Sequence, residues 1–172
     1  MIAEGLEKMN AEIEVEEIIG NETGEVAILP VTSDHVLDLF MSGLVRCMAD
    51  FKVRTETDQD MGDAYMQIRS GIDRGMGVWL AVRKSDRAVV GYLVAHETNT
   101  VAVGKECFIW QAYAMEGNIF ELGWAFLDRW ARARGCLKIY FLTSRDEDAM
   151  IRKLAPLGFK KKSTLFEVKL NG

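Results

Sequence analysis

Few residues in this chain are of the types that support metal or nucleophilic chemistry. Cys47, Cys107 and Cys136 are widely spaced and form no C-x-x-C pair. That pattern reads as free thiols in a reducing cytoplasm rather than as a disulfide framework. His35 and His96 stand far apart, too few for a His-rich zinc site, so no metal centre is expected. A Ser-His-Asp triad is not marked either, because no G-x-S-x-G elbow is present. What remains is anion binding. Cys107–Met115, Ile119–Arg134 and Leu137–Thr143 read as strand, helix and strand. If both strands share a sheet, the crossover is right-handed and the helix N-terminus lies at the carboxyl edge of the first strand. Uncommitted amide N–H groups at such a terminus suit a phosphate-bearing ligand.

The elements that position these groups follow from hydrophobic periodicity. Val26–Val31 is a short apolar strand. Ser33 caps a helix with apolar positions from Val36 to Met48 at helical spacing. Lys52–Asp60 is polar and reads as a loop, and a second helix through Tyr65, Met66 and Ile68 is broken by Gly71, Gly75 and Gly77. Val78–Val82 and Ala88–Ala95 flank Lys84-Ser85-Asp86-Arg87 as a hairpin. Ile119, Leu122, Phe126, Leu127 and Trp130 make one apolar stripe, and Arg132-Ala133-Arg134-Gly135 ends that helix with basic residues and a glycine. Ile139–Leu142 is a strand, Ser144-x-x-Glu147 opens a short helix to Leu154, and a last strand is expected near Thr164–Leu170. The sum is a mixed α/β domain.

Composition sets the outer bounds. The chain has 172 residues, 49% hydrophobic and 27% charged, which suits one globular domain. Its net charge of −5 excludes a generally basic nucleic-acid binder. The charge is uneven. Residues 1–25 hold eight Glu against Lys8 alone, a balance of −7, so the rest of the chain sums to +2. The division expected is an acidic N-terminal extension over 1–25, docked arm or frayed tail, and a domain over 26–172. No apolar run reaches the roughly 20 residues of a membrane span, and no secretory signal is visible, so a cytoplasmic protein is expected.

The element order, Val90-Gly91-Tyr92-Leu93-Val94, Trp130-Ala131-Arg132-Ala133-Arg134-Gly135-Cys136 and Leu157-Gly158-Phe159-Lys160 together resemble the GNAT superfamily of acetyl-CoA-dependent N-acetyltransferases over about residues 26–170. The resemblance implies an α/β fold with a mixed, mostly antiparallel sheet flanked by helices. It implies a splay between the fourth and fifth strands, with acetyl-CoA held there by Ala112, Tyr113, Ala114, Gly117, Asn118, Ile119 and Phe120. In the family the loop after the fourth strand reads Q/R-x-x-G-x-G/A, leaving backbone amides clear for pyrophosphate. Here it reads Met115-Glu116-Gly117-Asn118-Ile119-Phe120-Glu121. Only Gly117 survives, Asn118-x-x-Glu121 forms a capping box that occupies the helix-end amides, and Glu116 and Glu121 oppose an anion there. The family's usual leaving-group tyrosine is replaced by Leu154.

Amine acetylation needs a base for the ammonium and an acid for the thiolate. The candidates are Glu97, with His96, at the end of the third strand, Glu106 at the start of the fourth, and Tyr113 near its end, acting as acid if its ring faces the splay. Lys52–Asp60 lies where the family binds its acceptor, a small-molecule or peptide amine. The rival expectation is a GNAT-fold module that has lost acyl transfer and binds a protein partner, resembling phage-encoded GNAT-like proteins. A sheet edge and the acidic arm both offer contacts for a homodimer. Trp79, Trp110, Trp124 and Trp130 read as core and rim packing.

Overall fold

The computed structural model describes residues 2–21, 24–55, 57–100, 104–115, 119–143 and 147–161. The chain divides into two compact units, 1–142 and 143–172. In the first, α1 (Ile2–Asn21) precedes β1 (Val26–Pro30), α2 (Asp34–Leu39), α3 (Met41–Thr55) and α4 (Met61–Ile72). Then follow β2 (Gly77–Arg83), β3 (Val89–Thr100), β4 (Gly104–Ala114), α5 (Ile119–Ala133) and β5 (Ile139–Phe141). The second unit holds α6 (Glu147–Leu154) and a 3-10 turn at Ala155–Leu157, closed by Gly158 at φ 84°. The strand expected near Thr164–Leu170 and the cap at Ser144 lie outside the described residues.

The five strands run in sequence order, β1 to β5. All neighbours are antiparallel except β4 and β5, which pair in parallel. The sheet is therefore mixed and mostly antiparallel. One face carries Ala27, Leu29, Val78, Leu80, Tyr92, Val94 and Tyr113 into a core with the helices α1 to α4. Leu44 and Met48 of α3 and Ile68 of α4 are fully buried there, and each such side chain contributes roughly 1.5–3 kcal/mol on leaving water. The other face is covered by α5. Trp130 of α5 meets Trp79 of β2 edge to face at 5.7 Å, and a Cβ on Gly123 would touch Leu93 of β3 at 3.8 Å.

The N-terminal segment takes the docked-arm alternative, and several later elements differ from the sequence expectation. The acidic N-terminal segment is a helix whose Ala11, Val15 and Ile19 are buried. Its carboxylates reach outward from that stripe, with Glu7 on His35 at 3.0 Å, Glu14 on Thr32 at 3.2 Å and Glu16 on Arg87. The single helix expected from Ser33 is two. Ser33 does cap α2, accepting from the Val36 N–H at 3.3 Å, but Phe40 leaves helical geometry at φ −111°, ψ 9°, and α3 starts afresh at Met41. The loop expected from Lys52 begins only after Thr55. Lys52 and Arg54 lie in the last turn of α3, where cations complement the helix dipole. Gly135 stops α5 as expected, at φ 73°, with the Cys136 N–H on Ala131 O at 3.0 Å and the Gly135 N–H on Arg132 O at 2.9 Å. Those are the two bonds of a Schellman motif.

The hairpin of β3 and β4 is much longer than the apolar runs suggested. It continues to Thr100 and restarts at Gly104. Glu97 and Glu106 are thus interior strand residues, opposite Cys107 and Thr98 respectively, and not strand ends.

Candidate active site

Two irregularities of β4 open the sheet. The parallel pairing with β5 covers only Cys107↔Ile139, Phe108↔Tyr140 and Ile109↔Phe141. Beyond Ile109, β4 runs on to Ala114 with β3 on one side and no partner strand on the other among the described residues. At this same place β4 carries a bulge. Val94 pairs with Gln111 and Ala95 with Ile109, which leaves Trp110 as the extra residue. A bulge re-phases the strand. Below it, the Cys107 N–H bonds to Lys138 O on the β5 side at 2.9 Å. Above it, the Met115 N–H bonds to Val90 O on the β3 side at 2.7 Å. Strand alternation then turns the amides of Ala112 and Ala114 away from β3, toward the side from which β5 has parted. Both residues carry only a methyl group, so their own side chains do not crowd the edge. The strand is held firmly from behind, because a Cβ on Gly91 would meet Tyr113 O at 2.8 Å.

Phe120, in the first turn of α5, is buried and its ring lies 5.7 Å from that of Phe141, the last paired residue of β5. It walls the α5 side of the point where the strands part. Glu121 beside it is exposed and does not fill the gap. Ile119 is buried. Gly117 and Asn118, and with them the expected capping box and pyrophosphate loop, lie outside the described residues.

On the opposite face, the side chains of this stretch of β4 meet α3. The Tyr113 ring is buried, and its hydroxyl donates to Asp50 Oδ2. Arg54, one turn on, places Nη2 3.1 Å from the same oxygen and its guanidinium 5.6 Å from the Tyr113 ring centre. Phe51 packs edge-on against both Tyr92 and Tyr113, at 6.4 and 6.1 Å. The Tyr92 hydroxyl donates to Gln111 Oε1 at 2.9 Å, and Gln111 Nε2 donates to Gln59 Oε1 at 2.9 Å. Gln111 is buried, so this chain satisfies its amide and ties the loop after α3 to β4, next to the bulge. Burial holds the Tyr92 phenol well above its ordinary range. Tyr92 therefore serves as a neutral donor.

The sequence candidates separate. Tyr113 faces α3 and joins Asp50, which sequence reasoning missed. Glu97 and Glu106 sit where β4 and β5 are still paired, and Glu106 is seven residues along β4 from Tyr113, roughly 20 Å at strand rise. Glu97 is held by Lys105 Nζ at 2.9 Å. Glu106 is 4% exposed, with Lys138 Nζ 2.6 Å from Oε1, an oxygen with no hydrogen-bond partner among the described residues. The lysine therefore forms an ion pair with it. His96 packs on Phe108 at 5.3 Å. Burial raises the thiols of Cys47 to about 11 and Cys107 to about 12, which removes them as nucleophiles.

No protein-family model and no curated protein matches this sequence. Solved structures do. A ribosomal-protein-alanine N-acetyltransferase from Brucella melitensis biovar Abortus is similar with a TM-score of 0.64 and 11% identity, over 86% of this chain and 100% of its own. A transcriptional regulator from Bacillus halodurans gives 0.63 and 19%, over 84% and 99%. AAC(6')-Iy, in complex with the bisubstrate analogue CoA-S-monomethyl-acetylneamine, gives 0.61 and 15%, over 87% and 100%. The fold of this chain is that of the GNAT acetyltransferases. Among the described residues, no helix is long and apolar enough to cross a membrane.

Proposed function

We propose that the protein is an acetyl-CoA-dependent N-acetyltransferase that receives its acceptor amine on the α3 side of β4. The observation that carries this reading is the opened edge of β4. An extended pantetheine arm fits along Ala112 and Ala114 as an added strand, using main-chain groups that β5 does not take up. Phe120 supplies the apolar wall on the α5 side. When bound, acetyl-CoA supplies a thioester whose carbonyl carbon the amine attacks, forming the C–N bond as the C–S bond breaks and the thiolate takes up a proton. The chain's own part is to orient the amine and manage its proton. Asp50 is the carboxylate that the fold brings against the opened stretch of β4, and Tyr113 holds it there. Gln59 and Gln111 fix the loop that borders the acceptor side.

A second reading has its own observation. The first turn of α5 carries Glu121 and no basic side chain, so nothing described there complements a pyrophosphate. A GNAT-fold module without acyl transfer, docking a protein partner, agrees with that turn. A place among phage or prophage genes belongs to this reading, and neighbouring genes would test it. Titration calorimetry with acetyl-CoA, followed by thiol release against a panel of amines, separates the two. Heat at micromolar acetyl-CoA and amine-dependent release support the enzyme. No heat and no melting shift at millimolar acetyl-CoA support the module.

A further inference from the structure

We infer that the acceptor is a zwitterion, an amine with a carboxylate on the neighbouring carbon, as in a free α-amino acid, and that Asp50 and Arg54 read its two charges. The inference rests on the reading of the α3 side as the acceptor side. Asp50 and Arg54 are one helical turn apart on α3 and paired at 3.1 Å, with side chains 34% and 56% exposed. A surface pair of this kind contributes little to stability. This one is built differently, because a buried residue organises both partners. The Tyr113 hydroxyl fixes Asp50 from below, and the Tyr113 ring lies under the Arg54 guanidinium.

Both contacts to Asp50 use Oδ2. Oδ1 has no bond to any described residue, and only one guanidinium nitrogen of Arg54 is engaged with Asp50. The pair therefore presents a negative and a positive group side by side to solvent. A lone ammonium that approaches Oδ1 also approaches Arg54, and the two cations repel. An ammonium with an adjacent carboxylate lays opposite charges on both groups, and Arg54 becomes an attraction. The site is thus matched to a zwitterion and set against a simple amine or an amino-acid amide. Tyr113 belongs to the stretch of β4 that has left β5, so a ligand on Oδ1 sits above the opened edge.

Free L-α-amino acids, their primary amides and the matching decarboxylated amines test this in two arms. Binding is read by melting shift and calorimetry without acetyl-CoA, and transfer by thiol release with it. The expected result is at least tenfold tighter binding of some amino acid than of its amide. Arg54→Gln, an exposed change, should collapse that preference toward onefold, weakening the amino acid by loss of its attraction and tightening the amide by relief of its repulsion. Asp50→Asn should weaken acid and amide together. Equal affinity for acid and amide, or a preference that survives Arg54→Gln, would overturn the inference even if acetyl transfer to amines is found. Selective amino-acid binding without any acetyl-CoA binding would support it and sink the enzyme reading instead.

Discussion

Replacing Tyr113 by Phe removes a single oxygen from the centre of the site. The ring remains to pack against Phe51 and to underlie Arg54. What is lost is the bond from a buried phenol to the Asp50 carboxylate. Hydrogen bonds to charged groups contribute roughly 1.5–3 kcal/mol. The Asp50 side chain is 34% exposed and keeps Arg54, so water replaces part of the bond and the lower end applies, about 1.5 kcal/mol. For a chain of this size each kcal/mol lowers Tm by roughly 2–4 °C, so a fall of about 3–6 °C is expected by calorimetry. A double-mutant cycle with Asp50→Asn should show most of this as coupling. If Tyr113→Phe melts with the parent protein and the coupling is below roughly 0.3 kcal/mol, Tyr113 does not hold Asp50, and its role in organising the acceptor site is wrong.

Other outcomes follow from the same geometry. Gly91→Val places carbon 2.8 Å from Tyr113 O and 3.2 Å from Ala114 Cα. Backbone cannot yield as a side chain can, so β4 shifts at a cost of roughly 1–3 kcal/mol, and acetyl-CoA titration should show at least tenfold weaker binding. Glu97→Gln, on β3 opposite the paired end of β4, should leave acetyl transfer within twofold of the parent. Lys138→Met strips the buried Glu106 carboxylate of its cation, and since the lysine is about half exposed the loss in a denaturant melt should be about 2 kcal/mol, below the usual range for a fully buried pair. Cys47 and Cys107 are raised in the folded state from 9.0 to about 11 and about 12. The folded protein therefore holds protons that the unfolded chain releases, and stability is full below about pH 9 and falls as pH rises from there toward about 11 for Cys47 and about 12 for Cys107. A denaturant midpoint that is flat across that window would contradict the buried placement of both thiols.

Parts of this fold were open to reading from the sequence because they are local. The β2–β3 hairpin announces itself by two apolar runs around Lys84–Arg87, and the Schellman stop at Gly135 by a glycine after a basic turn. What escaped depends on contacts distant in sequence. Lys52–Thr55 looked like loop because α3 exposes a polar face there, while its buried face is set by packing. Glu97 and Glu106 looked like strand ends because the hairpin continues on polar residues, held by pairing rather than by apolar pattern. The break at Phe40 carries no glycine or proline signal. The bulge at Trp110 has no residue signature, and Asp50 meets Tyr113 from 63 positions away. Tyr113 itself could be selected as a candidate from its place near the end of the fourth strand. Its partner could be found only in three dimensions.

Acetyl-CoA is proposed to lie along the opened edge of β4. Titration of the isotopically labelled protein with acetyl-CoA, following the backbone amide resonances of Ala112 and Ala114, tests it most directly. Saturable shifts are expected at these two amides at micromolar ligand, with the amide of Cys107, already bonded to Lys138 O on β5, left nearly unmoved. Unchanged Ala112 and Ala114 resonances at millimolar acetyl-CoA, or shifts confined to the paired end of β4, would contradict it.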